Sequence, residues 1–326
     1  ITMTPQDGVF PTNRAGFTVL HPIKEFAGAP LHVAHSDGTT EAKTFPRYIQ
    51  PDQPVKDICG LRYGVNGQQV DIVFGDEIFE MEDQRNWSDA SYKTYCVPLV
   101  HPFTYEITKP THQSVRMTFT GDAAACSIGA GHEALQVELS GQSAPDIGLA
   151  LDSGWASEFP LLAEVASHVL LRTSPGASDL NDLLVFARNY QSVDLEIVIP
   201  DALPVDEGLR IVADALAAQD VAPRHVIALR ESYLGSHQPV GPWPEGPTPN
   251  DMLDAIRAAF PDASVGGGMM TNFTELNRCR PDTGRCDFVT HGLTPLVHAG
   301  DDMSVLETLE TLPQIFASTE ALASGL

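Results

Sequence analysis

The chain has 326 residues, 43% of them apolar, and a net charge of −24. That length suits roughly two domains, each with a core of its own. The acidic balance argues against nucleic acid and against an anionic membrane surface, because both need a basic face. No run approaches the ~20 apolar residues of a membrane span. No lysine follows Lys109, so the remainder can hold neither a Schiff-base lysine nor a phosphate-loop lysine.

From Ile1 to about Ser143, alternating and β-rich runs predict strands. They fall at Gly16–His21, Leu31–His35, Gln69–Phe74, Ile78–Glu82, Ser91–Val97, Phe103–Thr108, Ser114–Thr120 and Ala134–Leu139. Turn signals such as Ser36-Asp37-Gly38, Asn66-Gly67 and Gly75-Asp76 separate several of them. No helical period interrupts the series, so an antiparallel β-sandwich over residues 1–143 is expected. His32 and His35 resemble a metal pair, but their spacing puts the side chains on opposite faces of a strand. The stretch Phe79–Tyr95 mixes charge, amide and aromatic groups too densely for a plain sandwich strand. It is expected to bring Arg85, Asn86, Trp87 and Asp89 toward the second domain.

Ser140–Pro145 is a small polar linker. Beyond it, short apolar strands alternate with amphipathic helices. Strands are predicted at Ile147–Leu151, Val169–Arg172, Leu195–Pro200, Val226–Leu229, Ser264–Met269 and Phe288–Leu293. Helices are predicted at Asp179–Tyr190, Val205–Ala218, Asn250–Phe260 and Met303–Ile315, with start signals at Ser178, Asp206-Glu207, Thr248-Pro249 and Asp301-Asp302. Repeated strand–helix units imply parallel strands. A complete (β/α)₈ barrel takes about 250 residues, so residues 144–326 read as a TIM-type barrel with about six of its eight strands. An open dinucleotide fold is demoted, because Asp152-Ser153-Gly154-Trp155 follows the first strand where a glycine-rich fingerprint belongs.

The cysteines, Cys59, Cys96, Cys126, Cys279 and Cys286, are sparse and odd in number. They read as free thiols in a reducing, cytoplasmic compartment, with a Cys279–Cys286 bridge as the alternative. No metal-ligand spacing stands out, so neither metal nor cofactor is expected.

In a parallel barrel the chemistry sits where strands end and loops begin. The strand ends carry Asp152, Arg172, Asp201, Arg230, Glu231, Asn272, Glu275, Asn277, His291, His298 and Asp301. Carboxylates, amides and imidazoles of this kind suit a polyhydroxylated substrate, and an indole can cover a sugar ring. The long loop Tyr233–Pro249 holds five prolines together with Trp243, and reads as a stiff wall over the mouth or as an exposed excursion. Glu231, Glu275 and His298 are the candidate catalytic groups. The candidate substrate contacts are Asp152, Arg230, Trp243, Asn272, Asn277, His291 and Asp301. Each has a plainer reading. Glu231 can pair with Arg230, and Glu275 can be a first-turn helix acid. Asp301-Asp302 can either orient His298 or cap the next helix.

Several stretches resemble the D-apionate lactonase family. They are Asn13–Pro22 (NRAGFTVLHP), His35–Thr39 (HSDGT), Phe79–Tyr95, Gly266–Arg278 (GGGMMTNFTELNR) and Pro295–Thr308 (PLVHAGDDMSVLET). The resemblance implies an N-terminal β-sandwich, a TIM barrel similar to glycoside hydrolases and further chain on both sides, including the last barrel strands. It implies opening of D-apionolactone or a related aldonolactone by water. Such a reaction needs a base, a leaving-group acid and oxyanion donors. Glu275 or Glu231 would activate water, and His298, Arg230 or Asn277 would hold the oxyanion. The alternatives are a retaining or inverting glycosidase, which needs two opposed carboxylates, and a carbohydrate-binding protein without turnover. The expected partner is a small sugar lactone, and a homo-oligomer is left open.

Overall fold

The computed structural model describes residues 1–6, 8–121, 141, 143, 145–155, 166–294 and 296–324. The predicted strand Ala134–Leu139, Cys126, half of the linker and the side chain of Trp155 lie outside the described part. The chain divides into two compact units: Ile1–His132 with Thr294–Ser318, and Glu133–Leu293 with Thr319–Leu326.

The N-terminal unit is antiparallel. One sheet runs in the order β3 (Thr18–Pro22), β10 (Ser91–Tyr95), β9 (Phe79–Asp83), β6 (Val55–Ile58). The other runs β13 (Ser114–Thr120), β8 (Gln68–Gly75), β7 (Gly60–Val65), β4 (Pro30–Ala34), β5 (Thr40–Thr44). Two short pairs complete it, β1 (Thr2–Met3) with β12 (Thr111–His112), and β2 (Phe10–Thr12) with β11 (Tyr105–Ile107). Period two is plain on β8, where Val70, Ile72 and Phe74 are buried while Val73 faces out. Both sheets feed one core: Leu31, Leu61 and Ile72 come from the five-stranded sheet, and Val55, Phe79, Met81 and Tyr92 from the four-stranded one. Asn66-Gly67 closes the β7–β8 hairpin, with Val65 paired to Gln68 and both turn residues at positive φ.

Phe79–Tyr95 is mostly buried. The Arg85 guanidinium is fully enclosed, bonded to Asp83 at 2.7 Å and to the carbonyls of Pro46 and Arg47. Its Nη1 also donates to Gln314 Oε1 at 3.0 Å, and Thr311 donates to the Ser88 carbonyl at 3.1 Å. Those bonds lie within the N-terminal unit, which takes in Thr294–Ser318.

The second unit holds six strands in chain order, β14 (Gly148–Leu151), β15 (His168–Thr173), β16 (Val193–Ile199), β17 (Pro223–Arg230), β18 (Ser264–Asn272) and β19 (Phe288–Gly292), every neighbouring pair parallel. The six-strand expectation matches this sheet. Helices Leu180–Ala187, Val205–Ala218 and Pro249–Ala259 cover one face. There Leu171, Leu195, Ile197 and Val226 pack on Leu184, Val212, Leu216 and Ile256. The other face is concave. Arg172 of β15 donates to the Met270 carbonyl of β18 at 2.9 Å, although three strand spacings of about 4.8 Å separate those strands in a flat sheet. β18 and β19 shift register between Gly268 and Asn272. Gly268 has φ +118°, and a Cβ there would stand 2.2 Å from the Thr290 carbonyl oxygen, so the bend requires glycine.

Candidate active site

On the concave face, alternate residues of β15 and β16 place Arg172 against Glu196, at 2.6 Å. Glu196 is buried, whereas the Arg172 side chain is half exposed. Sequence reasoning passed over Glu196. Its signal was the pair Asp194 and Glu196, two residues apart in an otherwise apolar strand, which marks one strand face as polar. Asp194 itself sits near the start of β16 between His168 (3.4 Å) and His225 (3.0 Å).

β17 ends at Arg230, and Glu231 opens the 3₁₀ turn Glu231–Leu234. The Arg230–Glu231 pairing of the plainer reading is absent among the described residues. Arg230 Nε lies 3.2 Å from Asp201 Oδ1, Nη2 donates to the Asp201 carbonyl at 2.7 Å, and Nη1 donates to the Glu245 carbonyl at 3.1 Å. Glu231 is exposed, and among the described residues its carboxylate has no hydrogen bond or ion pair. It therefore stands as a carboxylate at the C-terminal end of a parallel strand.

The loop after this turn is pinned at several points. Trp243 stacks on buried Tyr233, ring centroids 6.2 Å apart, and lies 5.3 Å from His237. His237 Nε2 donates to the Ser232 carbonyl at 2.9 Å, and Arg278 donates to the His237 carbonyl at 3.2 Å. Trp243 is half-buried.

Glu275 lies in helix Phe273–Arg278, directly after β18. It is buried, and its Oε2 accepts the Asn272 backbone N–H at 3.0 Å, so the first-turn reading describes it. Asn277 is buried as well, its Oδ1 accepting from Arg280 at 2.9 Å. His291 donates from Nδ1 to the Gly292 carbonyl, and its Nε2 accepts from the Thr319 hydroxyl, both at 2.9 Å. Burial holds its pKa below the ordinary histidine value, which keeps the ring neutral. Asp152 is exposed and accepts the Gly154 N–H at 2.8 Å.

His298 and Asp301 fall in the N-terminal unit. Asp301 caps helix Asp302–Glu307, accepting from the Ser304 N–H and hydroxyl. The partner of the imidazole is Asp89, whose carboxylate takes a short bond from His298 Nδ1. That bond raises the His298 pKa. Cys59, Cys96, Cys279 and Cys286 are free thiols, so the Cys279–Cys286 bridge is not formed. Among the described residues, no three His, Cys, Asp or Glu side chains converge as a metal site, and no helix is long and apolar enough to cross a membrane.

The model of the D-apionate lactonase N-terminal domain matches residues 2–122, and that of the D-apionate lactonase TIM barrel domain matches residues 157–326. The chain belongs to the D-apionate lactonase family. A D-apionate lactonase from Brucella anthropi is 38% identical over 330 residues, covering 96% of this chain and 54% of the relative. The chain thus spans about half the length of the curated relative it matches. Within this lactonase-family chain, the TIM barrel match takes in β15–β19 and so Glu231, Glu275 and Arg172.

Proposed function

We propose that the chain is part of a cofactor-independent hydrolase that opens a sugar lactone, D-apionolactone or a related aldonolactone, to the sugar acid. The reading rests on one observation above the others: among the described residues Glu231 has no partner at the end of β17, while its cationic neighbour lies against Asp201. In this scheme water attacks the lactone carbonyl and gives a proton to Glu231. Arg172, half exposed on the concave face, steadies the oxyanion. The ring C–O bond then breaks, and the ring oxygen takes the proton back from Glu231. Trp243 and Asp152 are assigned to substrate hydroxyls and ring faces. Arg230, Asn272, Asn277 and His291 are assigned to the walls, each bonded within the protein.

The same geometry favours a lactonase over a glycosidase. A glycosidase needs two available carboxylates, and the Glu275 carboxylate is tied to its own helix start. In the whole protein we propose that β14–β19 form six of eight barrel strands, that residues 1–143 form a β-sandwich domain, and that the free thiols serve in the cytoplasm. The test is to incubate the full-length protein with aldonolactones and with aryl glycosides. Acid release from lactones alone supports the proposal. Aglycone release would move the assignment to a glycosidase, and no turnover of either class would favour a binding protein.

A further inference from the structure

The N-terminal unit carries a cleft of about 490 Å³ that the reaction above does not use. His298 and Asp89 line it together with Ser91, Ser304, Glu307 and Glu310. Because Asp89 accepts from Nδ1, the neutral ring carries its hydrogen there and presents a lone pair at Nε2. Nε2 has no partner among the described residues. The imidazole ring is partly exposed, with the Trp87 indole 6.5 Å away centre to centre. Trp87 is itself fixed, its Nε1 donating to Glu82 at 3.0 Å. The charged groups around the imidazole are Asp89, Glu82 and Lys93, and Glu307 and Glu310 also line the cleft. The neighbourhood is acidic overall, so it repels anions, while its acceptors suit a molecule rich in hydroxyl groups.

We propose that this cleft is a binding site for an uncharged, polyhydroxylated ring, with His298 Nε2 accepting a ligand hydroxyl and Asp89 as its positioning residue. The ligand class rests on the lactone reading above, and the site would favour the neutral lactone over its anionic product.

The test uses the full-length protein labelled at histidine and follows the His298 ring signal by NMR at pH 8. The probe is 1,4-anhydroerythritol, a five-membered diol ring with no ester to hydrolyse, compared with D-erythronate. The expected result is a saturable shift with the diol and none with the anion. Asp89→Asn, which keeps shape and leaves a half-exposed site folded, should weaken diol binding by about tenfold. No saturable shift, equal binding of erythronate, or unchanged affinity in Asp89→Asn would overturn the proposal. Because the diol is not turned over, a failure here leaves lactone hydrolysis standing. Conversely, a protein that hydrolyses no lactone can still show the shift.

Discussion

Arg230 turns away from Glu231 and onto Asp201, with Nε 3.2 Å from Oδ1 and Nη2 on the Asp201 carbonyl at 2.7 Å. The effect is to leave a carboxylate uncompensated beside a cation that is already occupied. Asp201→Ala removes the competing carboxylate and lets the guanidinium reach Glu231. Turnover should fall about tenfold as the base is neutralised. Because Asp201 is substantially exposed, stability should change by no more than about 1 kcal/mol. Steady-state kinetics beside thermal unfolding would show the split, and a parallel loss of stability and rate would mean that Asp201 is merely structural.

The Tyr233–Pro249 loop is held close by a glycine. Gly246 has φ +92°, and a Cβ there would stand 2.0 Å from Arg230 Nη1. Gly246→Ala should break the Arg230–Glu245 bond and displace the wall that carries Trp243. We expect a several-fold rise in KM with little change in unfolding temperature, since a strained surface loop stores only about 1–3 kcal/mol. An unchanged KM would mean that the wall does not contact substrate.

Acid should weaken the N-terminal unit through His21. Burial pushes its pKa down to about 4, and its ring nitrogens sit between the hydroxyls of Tyr63 (3.2 Å) and Thr94 (2.9 Å). The unfolded chain takes up this proton near pH 6.5 and the folded one only near 4. Stability is therefore complete above about pH 6.5 and falls as pH drops toward 4, by about 1.4 kcal/mol for each pH step. Urea unfolding at pH 7 and pH 4.5 should differ by about 2.4 kcal/mol more in the native protein than in His21→Gln. Equal pH dependence would remove His21 as the cause.

One-faced burial made much of the architecture readable. Helix Val205–Ala218 and strand Ser114–Thr120 match their predicted bounds, and all six parallel strands fall where apolar runs stand between helical periods. Strand β7 escaped notice because Gly60 and Gly64 break its pattern. The predicted helix Met303–Ile315 is instead split at Thr308–Glu310. The candidate site was legible only as a list of strand ends. Which acid is free depends on partners far apart in the chain, such as Arg230 with Asp201. The Asp89–His298 bond spans 209 residues, and no local pattern announces it. The Asp301-Asp302 pair beside the histidine could have oriented the imidazole or capped the next helix, and Asp301 takes the cap.

In the proposed reaction Glu231 takes the proton of the attacking water. Glu231→Gln keeps the shape of an exposed side chain and removes its basicity, so folding should be untouched. Measured on the full-length protein with an aldonolactone that the native enzyme opens, kcat should fall by about 10²- to 10⁴-fold with KM little changed. A variant that opens the lactone at near-native rate would remove Glu231 as the base.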